Sequence, residues 1–250
     1  MTPDGKHALV TGGGTGIGLA IARALADAGA EVTITGRRAE VLDAAAGPRL
    51  HPQVMDVTDE ASVTRGVAQA IAARGPVQIC IPNAGIAEGR ALHRTDTEFW
   101  RRIMATNLDG AFWTVRECLH DMRRAEWGRV VAISSIAGLR GLKGASAYTA
   151  SKHGLIGLIR ALSEDYLGTG LTFNAVCPGY VDTGIVSRNA AAISERTGMT
   201  EDAARATMIA ANRHDRLIAP DEVAQAVLWL CGPGSSSVNG QCIEIAGGQV

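Results

Sequence analysis

The stretch Thr11-Gly12-Gly13-Gly14-Thr15-Gly16-Ile17-Gly18 decides the fold because of the segments on either side of it. The apolar residues 7–10 precede this glycine loop and predict a short buried strand. The alanine-rich residues 19–28, which end at Gly29, predict a helix, and residues 32–35 predict a second strand. Strand, loop, helix and strand together form a βαβ unit, whose two strands are parallel.

The glycine loop is also a candidate nucleotide site. Glycines between a strand and a helix let the backbone approach a pyrophosphate, and the helix N-terminus offers free N–H groups and partial positive charge. The spacing Gly12-x-x-x-Gly16-x-Gly18 differs from G-x-G-x-x-G, but the flanking strand and helix favour nucleotide binding over a structural turn. The candidate residues are Gly12, Gly14, Thr15, Gly16, Ile17 and Gly18.

The residues after the second predicted strand, Gly36-Arg37-Arg38, bear on the type of nucleotide. A carboxylate at this position would hold the ribose 2′-hydroxyl of NAD, whereas arginine favours the 2′-phosphate of NADP. Two solvated surface arginines are the alternative interpretation. The sequence therefore favours NADP(H), and NAD(H) stays possible.

The rest of the chain continues to alternate between strand and helix patterns. Further strands are predicted over residues 50–55, 77–81, 129–133, 171–176 and 241–245, and longer helices over 60–73, 98–126, 146–167 and 221–231. No linker, internal repeat or low-complexity stretch interrupts this order. The sequence therefore predicts one α/β domain over residues 1–250 with a Rossmann-type, doubly wound sheet.

Composition excludes several classes of function. The net charge is −1 with acidic and basic residues interspersed, so nothing indicates a nucleic-acid or anionic membrane partner. No apolar run approaches the ~18 residues of a membrane span. The five cysteines are scattered without a C-x-x-C pair, so neither a metal site nor a disulfide framework is indicated. We therefore expect a cytoplasmic location.

Tyr148 and Lys152 are the strongest catalytic candidates. Residues four apart share one helix face, and a fixed cation can tune a phenol that otherwise titrates near ~10. The alternative is a core tyrosine beside a solvated lysine. Ser135 lies at the carboxyl end of a predicted strand, where ligands of α/β sheets bind. Asn107 sits within a predicted apolar helix, which suggests either a local helix distortion or a satisfied buried amide.

These motifs occur in the order and spacing of one family. Together with Asn83-Ala84-Gly85 and Pro178-Gly179, they make residues 5–248 resemble the short-chain dehydrogenase/reductase family, particularly its 3-oxoacyl reductase-like members. The resemblance implies a seven-stranded parallel sheet with helices on both faces, hydride transfer between a nicotinamide and a carbonyl or secondary alcohol, and a homodimer or homotetramer. Pro82 and Ala246 depart from the usual family pattern, at positions away from the hydride.

The resemblance also implies residue roles. Tyr148 would be the general acid-base, Lys152 would lower the Tyr148 pKa and hold the nicotinamide ribose, and Ser135 would bind the substrate oxygen. Asn107 would hold a water that links Lys152 to solvent. The remaining implied contacts are Asp56 and Val57 with the adenine, Asn83, Ala84 and Gly85 on the adenosine ribose side, and Pro178, Gly179, Val181 and Thr183 around the nicotinamide. No metal is implied.

Residues 184–215 are predicted to form a lid over the substrate. Apolar residues there alternate with arginines, which suggests an apolar substrate with an anionic handle, or an ordinary amphipathic surface helix. The apolar residues are Ile185, Val186, Ile193, Met199, Met208 and Ile209, and the arginines are Arg188, Arg196, Arg205 and Arg213. Thr169-Gly170 and Glu126-Trp127 stand where carrier-protein reductases tend to place basic residues, so a free or CoA-linked 3-oxoacyl compound or a small hydrophobic ketone is favoured.

Two other functions compete with an NADP(H)-dependent carbonyl reductase. An NAD-dependent secondary-alcohol dehydrogenase would use the same Ser135, Tyr148 and Lys152 set in the oxidative direction. A nucleotide-sensing protein would bind the cofactor without turnover, but we would expect such a protein to have lost the Tyr148–Lys152 pair.

Overall fold

The strands form a single parallel sheet in the computed structural model, which describes residues 2–249 apart from the side chain of Arg196. The strands are β1 (His7–Thr11), β2 (Glu31–Gly36), β3 (Leu50–Val54), β4 (Ile79–Ile81), β5 (Gly128–Ile133), β6 (Leu171–Pro178) and β7 (Cys242–Ile245). Their order across the sheet is β3-β2-β1-β4-β5-β6-β7, and every pairing is parallel. The predicted seven-stranded Rossmann sheet is therefore confirmed.

Helices cover both faces of this sheet. They are α1 (Gly16–Asp27), α2 (Ala39–Ala45), α3 (Glu60–Arg74), α4 (Thr97–Met104), α5 (Gly110–Met122), α6 (Ser146–Asp165), α7 (Gly184–Thr197), α8 (Glu201–Ala211) and α9 (Pro220–Leu230). Alternate strand residues face opposite sides. In β1, Val10 packs in the cluster that contains α1 and α9, whereas Leu9 packs in the cluster that contains α3, α5 and α6. Burying each such side chain stabilises the fold by about 1.5–3 kcal/mol.

The long helix predicted over residues 98–126 is interrupted. A π-helical turn, Ala105–Asp109, separates α4 from α5 and contains Asn107, so the predicted local distortion is confirmed. The helix ends at Met122 because Arg124 and Ala125 donate backbone hydrogen bonds three residues back, to Asp121 and Met122, which tightens the chain into a turn.

Helix starts differ slightly from the predictions. α1 begins at Gly16, three residues earlier than predicted, because low-propensity glycines occupy its first turn and hide the start of the helix pattern. Asp59 caps α3, since its Oδ1 accepts from the N–H of Ala61 at 3.0 Å. Oδ1 of Asp56 accepts from both the N–H and the hydroxyl of Thr58, so this carboxylate holds a local turn.

Residues 184–215 form two helices, α7 and α8, with a small apolar cluster of their own. Its buried members are Val186, Ala190, Ala204 and Met208. The cluster lies beyond the carboxyl end of β6, which brings it to the edge of the sheet where ligands bind. No helix in the described residues is long and apolar enough to cross a membrane.

Candidate active site

The carboxyl ends of the strands open into a cavity of about 360 Å³. Residues from several separate segments line it together, as expected for the crevice of a doubly wound sheet. Seven predicted site residues contribute to this lining: Ile17, Ser135, Tyr148, Pro178, Gly179, Val181 and Thr183.

Ser135 and Tyr148 reach the cavity from different elements. Ser135 lies two residues past β5, where its Oγ accepts from the N–H of Ala137 at 3.1 Å and so holds a single 3₁₀ turn. Tyr148 lies in the first turn of α6, and its side chain lines the same cavity as Ser135. One substrate oxygen can therefore meet both hydroxyl groups.

Lys152 lies one turn further along α6 and is buried. Its Nζ donates to the carbonyl oxygen of Ile133 at 2.9 Å and lies 5.9 Å from the centroid of the Tyr148 ring. The helical spacing therefore places both residues on one face, as predicted, with the lysine behind the tyrosine.

Burial shifts the pKa values of both Tyr148 and Lys152. Burial raises the pKa of Tyr148 above its usual value, and the hydrogen bond with Ser135 offsets only part of this effect. The lowering of the Tyr148 pKa by Lys152 that the family resemblance implies stays a prediction. Burial also lowers the pKa of Lys152 to about 8, so the buried lysine titrates much closer to neutrality than an exposed one.

Asn107 is buried, and its side-chain amide forms hydrogen bonds with two neighbouring segments, at Ile86 and at Ser151. Oδ1 accepts from the N–H of Ile86 at 2.8 Å, and Nδ2 donates to the carbonyl of Ile86 at 3.0 Å and to Oγ of Ser151 at 3.1 Å. Ser151 in turn donates to the carbonyl oxygen of Tyr148 at 2.7 Å. Both amide hydrogens are used, so the satisfied-amide interpretation also holds. Asn107 ties the π-turn to the helix of Tyr148.

The glycine loop is shaped to receive a phosphate group. Gly12 and Gly16 have φ values of 64° and 54°, which a side chain would strain. Thr15 precedes α1 without capping it through its side chain, and the first turn carries no acidic residue. The N-terminal N–H groups of α1 are therefore available to an anion, and the loop fits a dinucleotide pyrophosphate. A Cβ added at Gly14 would lie 3.1 Å from Val41.

The turn after β4 is hydrogen-bonded to the glycine loop. Oγ1 of Thr11 accepts from the N–H groups of Asn83 and Ala84, and Nδ2 of Asn83 donates to the carbonyl of Thr11 at 2.8 Å. A Cβ added at Gly85 would lie 3.2 Å from Oδ1 of Asn107 and 3.6 Å from Nζ of Lys152. This turn therefore connects the glycine loop with the catalytic candidates Asn107 and Lys152.

The remaining predicted cofactor residues lie at the far end of the crevice. Arg37 and Arg38 are exposed just past β2, and neither side chain makes a hydrogen bond or ion pair within the described residues. Asp56 and Val57 follow β3, next to β2 in the sheet, and a Cβ added at Gly110 would lie 2.8 Å from Cβ of Val57. None of these four lines the cavity of Tyr148.

A family model described as short chain dehydrogenase matches residues 6–193. The chain belongs to the short-chain dehydrogenase family. It is thus an NAD(P)-dependent oxidoreductase that acts on an alcohol or a carbonyl group. No group of three or more His, Cys, Asp or Glu side chains able to hold a metal is found between residues 2 and 249.

Characterised short-chain dehydrogenases match the chain over almost its whole length. It is 34% identical to D-beta-hydroxybutyrate dehydrogenase of Cupriavidus necator, covering 99% of this chain and 98% of that protein. It is 39% identical to cis-4-hydroxycyclohexanecarboxylate dehydrogenase of Sinomonas cyclohexanicum, with 97% and 96% covered. The crystal structure of a variant of actinorhodin polyketide ketoreductase with NADPH superposes with a TM-score of 0.94 at 34% identity, covering 99% of this chain and 98% of that one.

The substrate side of this short-chain dehydrogenase contains residues that sequence reasoning missed. Ala87, Glu88 and Gly89 line the cavity from one loop, and Leu142, Lys143, Gly144 and Ala145 line it from another. The second loop lies between Ser135 and Tyr148, and its glycines at 141 and 144 mark it as a loop at the ligand-binding edge. The position of this loop was the one feature of the sequence that could have indicated its role in the site. Tyr180, just after the Pro178-Gly179 motif, was also missed.

Proposed function

We propose that the chain transfers a hydride between NADP(H) and a small ketone or the corresponding secondary alcohol, with a hydrophobic or 3-oxoacyl-type substrate. The observation that carries this proposal is the meeting of Ser135 and Tyr148 in one cavity, with Lys152 directly behind them. The names of the matched relatives, a hydroxybutyrate and a hydroxycyclohexanecarboxylate dehydrogenase, also support a small oxygenated substrate. We further propose that residues 184–215 cover this substrate.

Each catalytic residue has its own role in the proposed proton transfer. Tyr148 gives its phenolic proton to the substrate oxygen during reduction and removes it during oxidation, while Ser135 donates a hydrogen bond that orients this oxygen and stabilises negative charge on it. Protonated Lys152 stabilises the phenolate behind the site. Asn107 holds the helix of Tyr148 in place and, in this proposal, a water that connects Lys152 with solvent. When bound, the nicotinamide supplies or accepts the hydride.

The proposed cofactor contacts follow the crevice from the glycine loop outward. Gly12, Gly14, Thr15, Gly16, Ile17 and Gly18 hold the pyrophosphate, Asn83, Ala84 and Gly85 the adenosine ribose side, and Asp56 and Val57 the adenine. Tyr148, Lys152, Pro178, Gly179, Val181 and Thr183 surround the nicotinamide and its ribose. The phosphate-binding part of this proposal is supported by the open N-terminus of α1.

NADP(H) is favoured because Arg37 and Arg38 are exposed beyond β2 and make no ion pair in the described part of the chain. We expect Arg37→Asp to lower the ratio of kcat/KM for NADPH to that for NADH by about tenfold or more, since a charge-assisted contact with the 2′-phosphate is lost. Arg23→Asp, on the exposed face of α1, makes the same charge change away from the site and should leave the ratio unchanged. A constant ratio in both variants would favour the NAD-dependent alternative.

The function itself is tested by following nicotinamide absorbance with purified protein. NADPH and NADH are compared against acetoacetate esters, 3-oxoacyl thioesters, cyclic ketones and aryl ketones. We expect NADPH oxidation with at least one of these classes. Cofactor binding without any turnover would contradict the proposed reaction and favour the nucleotide-sensing alternative.

We also propose a homodimer or homotetramer. A groove of about 420 Å³ lies between α5 and α6, and Phe112 beside it is 42% exposed. Large apolar side chains on a helix surface commonly mark an interface between copies of a chain. Light scattering should give a mass of two or four chains, and Phe112→Glu should lower it. The five free thiols are consistent with the proposed cytoplasmic location.

A further inference from the structure

Two charged, exposed residues, Glu88 and Lys143, line the cavity of Tyr148. They lie on two loops that pack against each other, since Arg90 and Ala145 form a parallel β-bridge and a Cβ added at Gly89 would lie 3.0 Å from the carbonyl oxygen of Gly144. The two charges therefore belong to one wall of the cavity, and their balance determines which substrates this wall attracts.

The charge of Glu88 is already neutralised. Its two carboxylate oxygens accept from both terminal nitrogens of Arg102, at 2.7 and 2.6 Å, which is the bidentate geometry of a strong ion pair. Arg90, next to the same loop, pairs with Asp96 at 2.8 Å. Neither Glu88 nor Arg90 therefore presents an unpaired charge to a substrate.

Lys143 differs from these residues because it makes no hydrogen bond or ion pair with any residue in the described portion of the chain. It precedes Tyr148 by five residues, in the loop that leads into α6. Lys143, which is exposed, thus lines the same cavity as Tyr148, the proposed proton donor. A compact ammonium group binds carboxylates well as a point charge.

Among the side chains that the structure describes, the other walls provide no competing cation. α7 and α8 contribute apolar residues to the lining, namely Ile185, Val186, Ile193 and Met208. Arg188, Arg205 and Arg213 do not line the cavity, and Arg205 pairs with Asp182 at 3.1 Å. Met199 and Ile209 are likewise outside the lining, and the side chain of Arg196 lies outside the described residues. Of the described cationic side chains, the one that lines this cavity is therefore Lys143.

We propose that Lys143 binds the carboxylate of the substrate, so that the chain interconverts keto acids and hydroxy acids in preference to neutral ketones and alcohols. This inference rests on the proposed function. The cavity of about 360 Å³ is at the small end of ligand sites. Part of its wall is formed by the proposed cofactor residues Ile17, Pro178, Gly179, Val181 and Thr183, so the remaining space suits a short keto acid bound by Lys143, Ser135 and Tyr148. The apolar residues of α7 and α8 would then cover the carbon skeleton.

The test compares keto acids with their methyl esters, which differ mainly in charge. Acetoacetate, levulinate and oxocyclohexanecarboxylate are assayed beside these esters with the wild type, Lys143→Met, Lys143→Arg and Lys6→Met. Lys6 lies just before β1, away from the cavity lining, so its substitution removes the same charge without touching the site.

We expect the wild type to prefer at least one acid over its ester in kcat/KM, and Lys143→Met to lower this acid-to-ester ratio about tenfold, mainly through KM. Lys143→Arg should restore part of the preference, and Lys6→Met should keep it. Raising the ionic strength should weaken the preference of the wild type, because salt screens the contact.

Several results would overturn the proposal. If the wild type has equal kcat/KM values for acids and esters, or if Lys143→Met lowers both equally, Lys143 does not bind the carboxylate. Either result would leave the proposed oxidoreductase function intact. Acetoacetyl-CoA and a truncated acetoacetyl thioester are assayed in the same way, and a loss confined to acetoacetyl-CoA would assign the contact to CoA phosphates and overturn the keto-acid proposal. Absence of turnover with every acid, ester and neutral ketone would overturn the proposed function and this inference together.

Discussion

The glycine loop of residues 11–18 and the substrate loops of residues 87–89 and 142–145 lie on the same crevice but are built differently. In the glycine loop, a Cβ added at Gly18 would press on the carbonyl oxygen of Gly12 and lie 2.5 Å from Nδ2 of Asn83. Beside the substrate loops, a Cβ added at Gly141 would meet no atom within 4 Å. The glycine loop is thus fixed by close backbone packing at Gly18, whereas the substrate side includes an open position at Gly141.

The largest effect is expected for Gly18→Ala. The added methyl group meets backbone that cannot move without separating β1 from the turn after β4, so we expect the free energy of unfolding to fall by about 3 kcal/mol. Urea denaturation measures this loss, and calorimetry with NADPH should show weaker cofactor binding. Gly157→Ala, on the open surface of α6, is the matched control and should not destabilise the chain. A Gly18→Ala protein as stable as the wild type would contradict the comparison.

A smaller loss is expected for Asn107→Asp. This near-isosteric change replaces the buried donor to Ile86 and Ser151 with an acceptor, so we expect the free energy of unfolding to fall by about 2 kcal/mol. Because Ser151 links Asn107 to Tyr148, activity should fall as well. In urea denaturation, Asn107→Asp and Ser151→Ala should be non-additive. Additive losses would show that this network does not act as a unit.

The pH dependence of stability tests the burial of Lys152. Its pKa is about 8 in the folded chain, below the value of the unfolded chain, so the unfolded state binds more protons above pH 8. Stability from this group therefore rises as the pH increases from about 8 to about 10. We expect the wild type to gain on the order of 2 kcal/mol over Lys152→Met in this range. If urea denaturation gives the same stability difference between the wild type and Lys152→Met at every pH, the lowered pKa of Lys152 is contradicted.

The smallest effect is expected on the substrate side, for Gly141→Ala. Its φ is not positive and its surroundings are open, so alanine fits and mainly reduces the freedom of the unfolded chain. We expect a gain of about 0.5 kcal/mol in the free energy of unfolding. Destabilisation of a size similar to that of Gly18→Ala would show that both sides of the crevice are equally rigid.

The same contrast explains what the sequence could predict. Gly12, Gly16 and Gly18 indicate their role because backbone constraints leave few alternatives to glycine, and Asn107 stood out against an apolar helix. The charge balance of Glu88 and Lys143 could not be predicted, because it depends on the pairing of Glu88 with Arg102, fourteen residues away. The raised pKa of Tyr148 could not be predicted from the sequence either, because the direction of a pKa shift depends on how deeply the group is buried.

The most direct test of the central claim, that Tyr148 moves the proton at the substrate oxygen, is the turnover of Tyr148→Phe. Tyr166→Phe is the matched control, because Tyr166 packs on Phe173 with ring centroids 5.3 Å apart and does not line the cavity. We predict that Tyr148→Phe lowers kcat by about 100-fold to 10,000-fold with cofactor affinity retained, while Tyr166→Phe stays close to the wild type. A Tyr148→Phe enzyme within a few-fold of wild-type kcat would contradict the account.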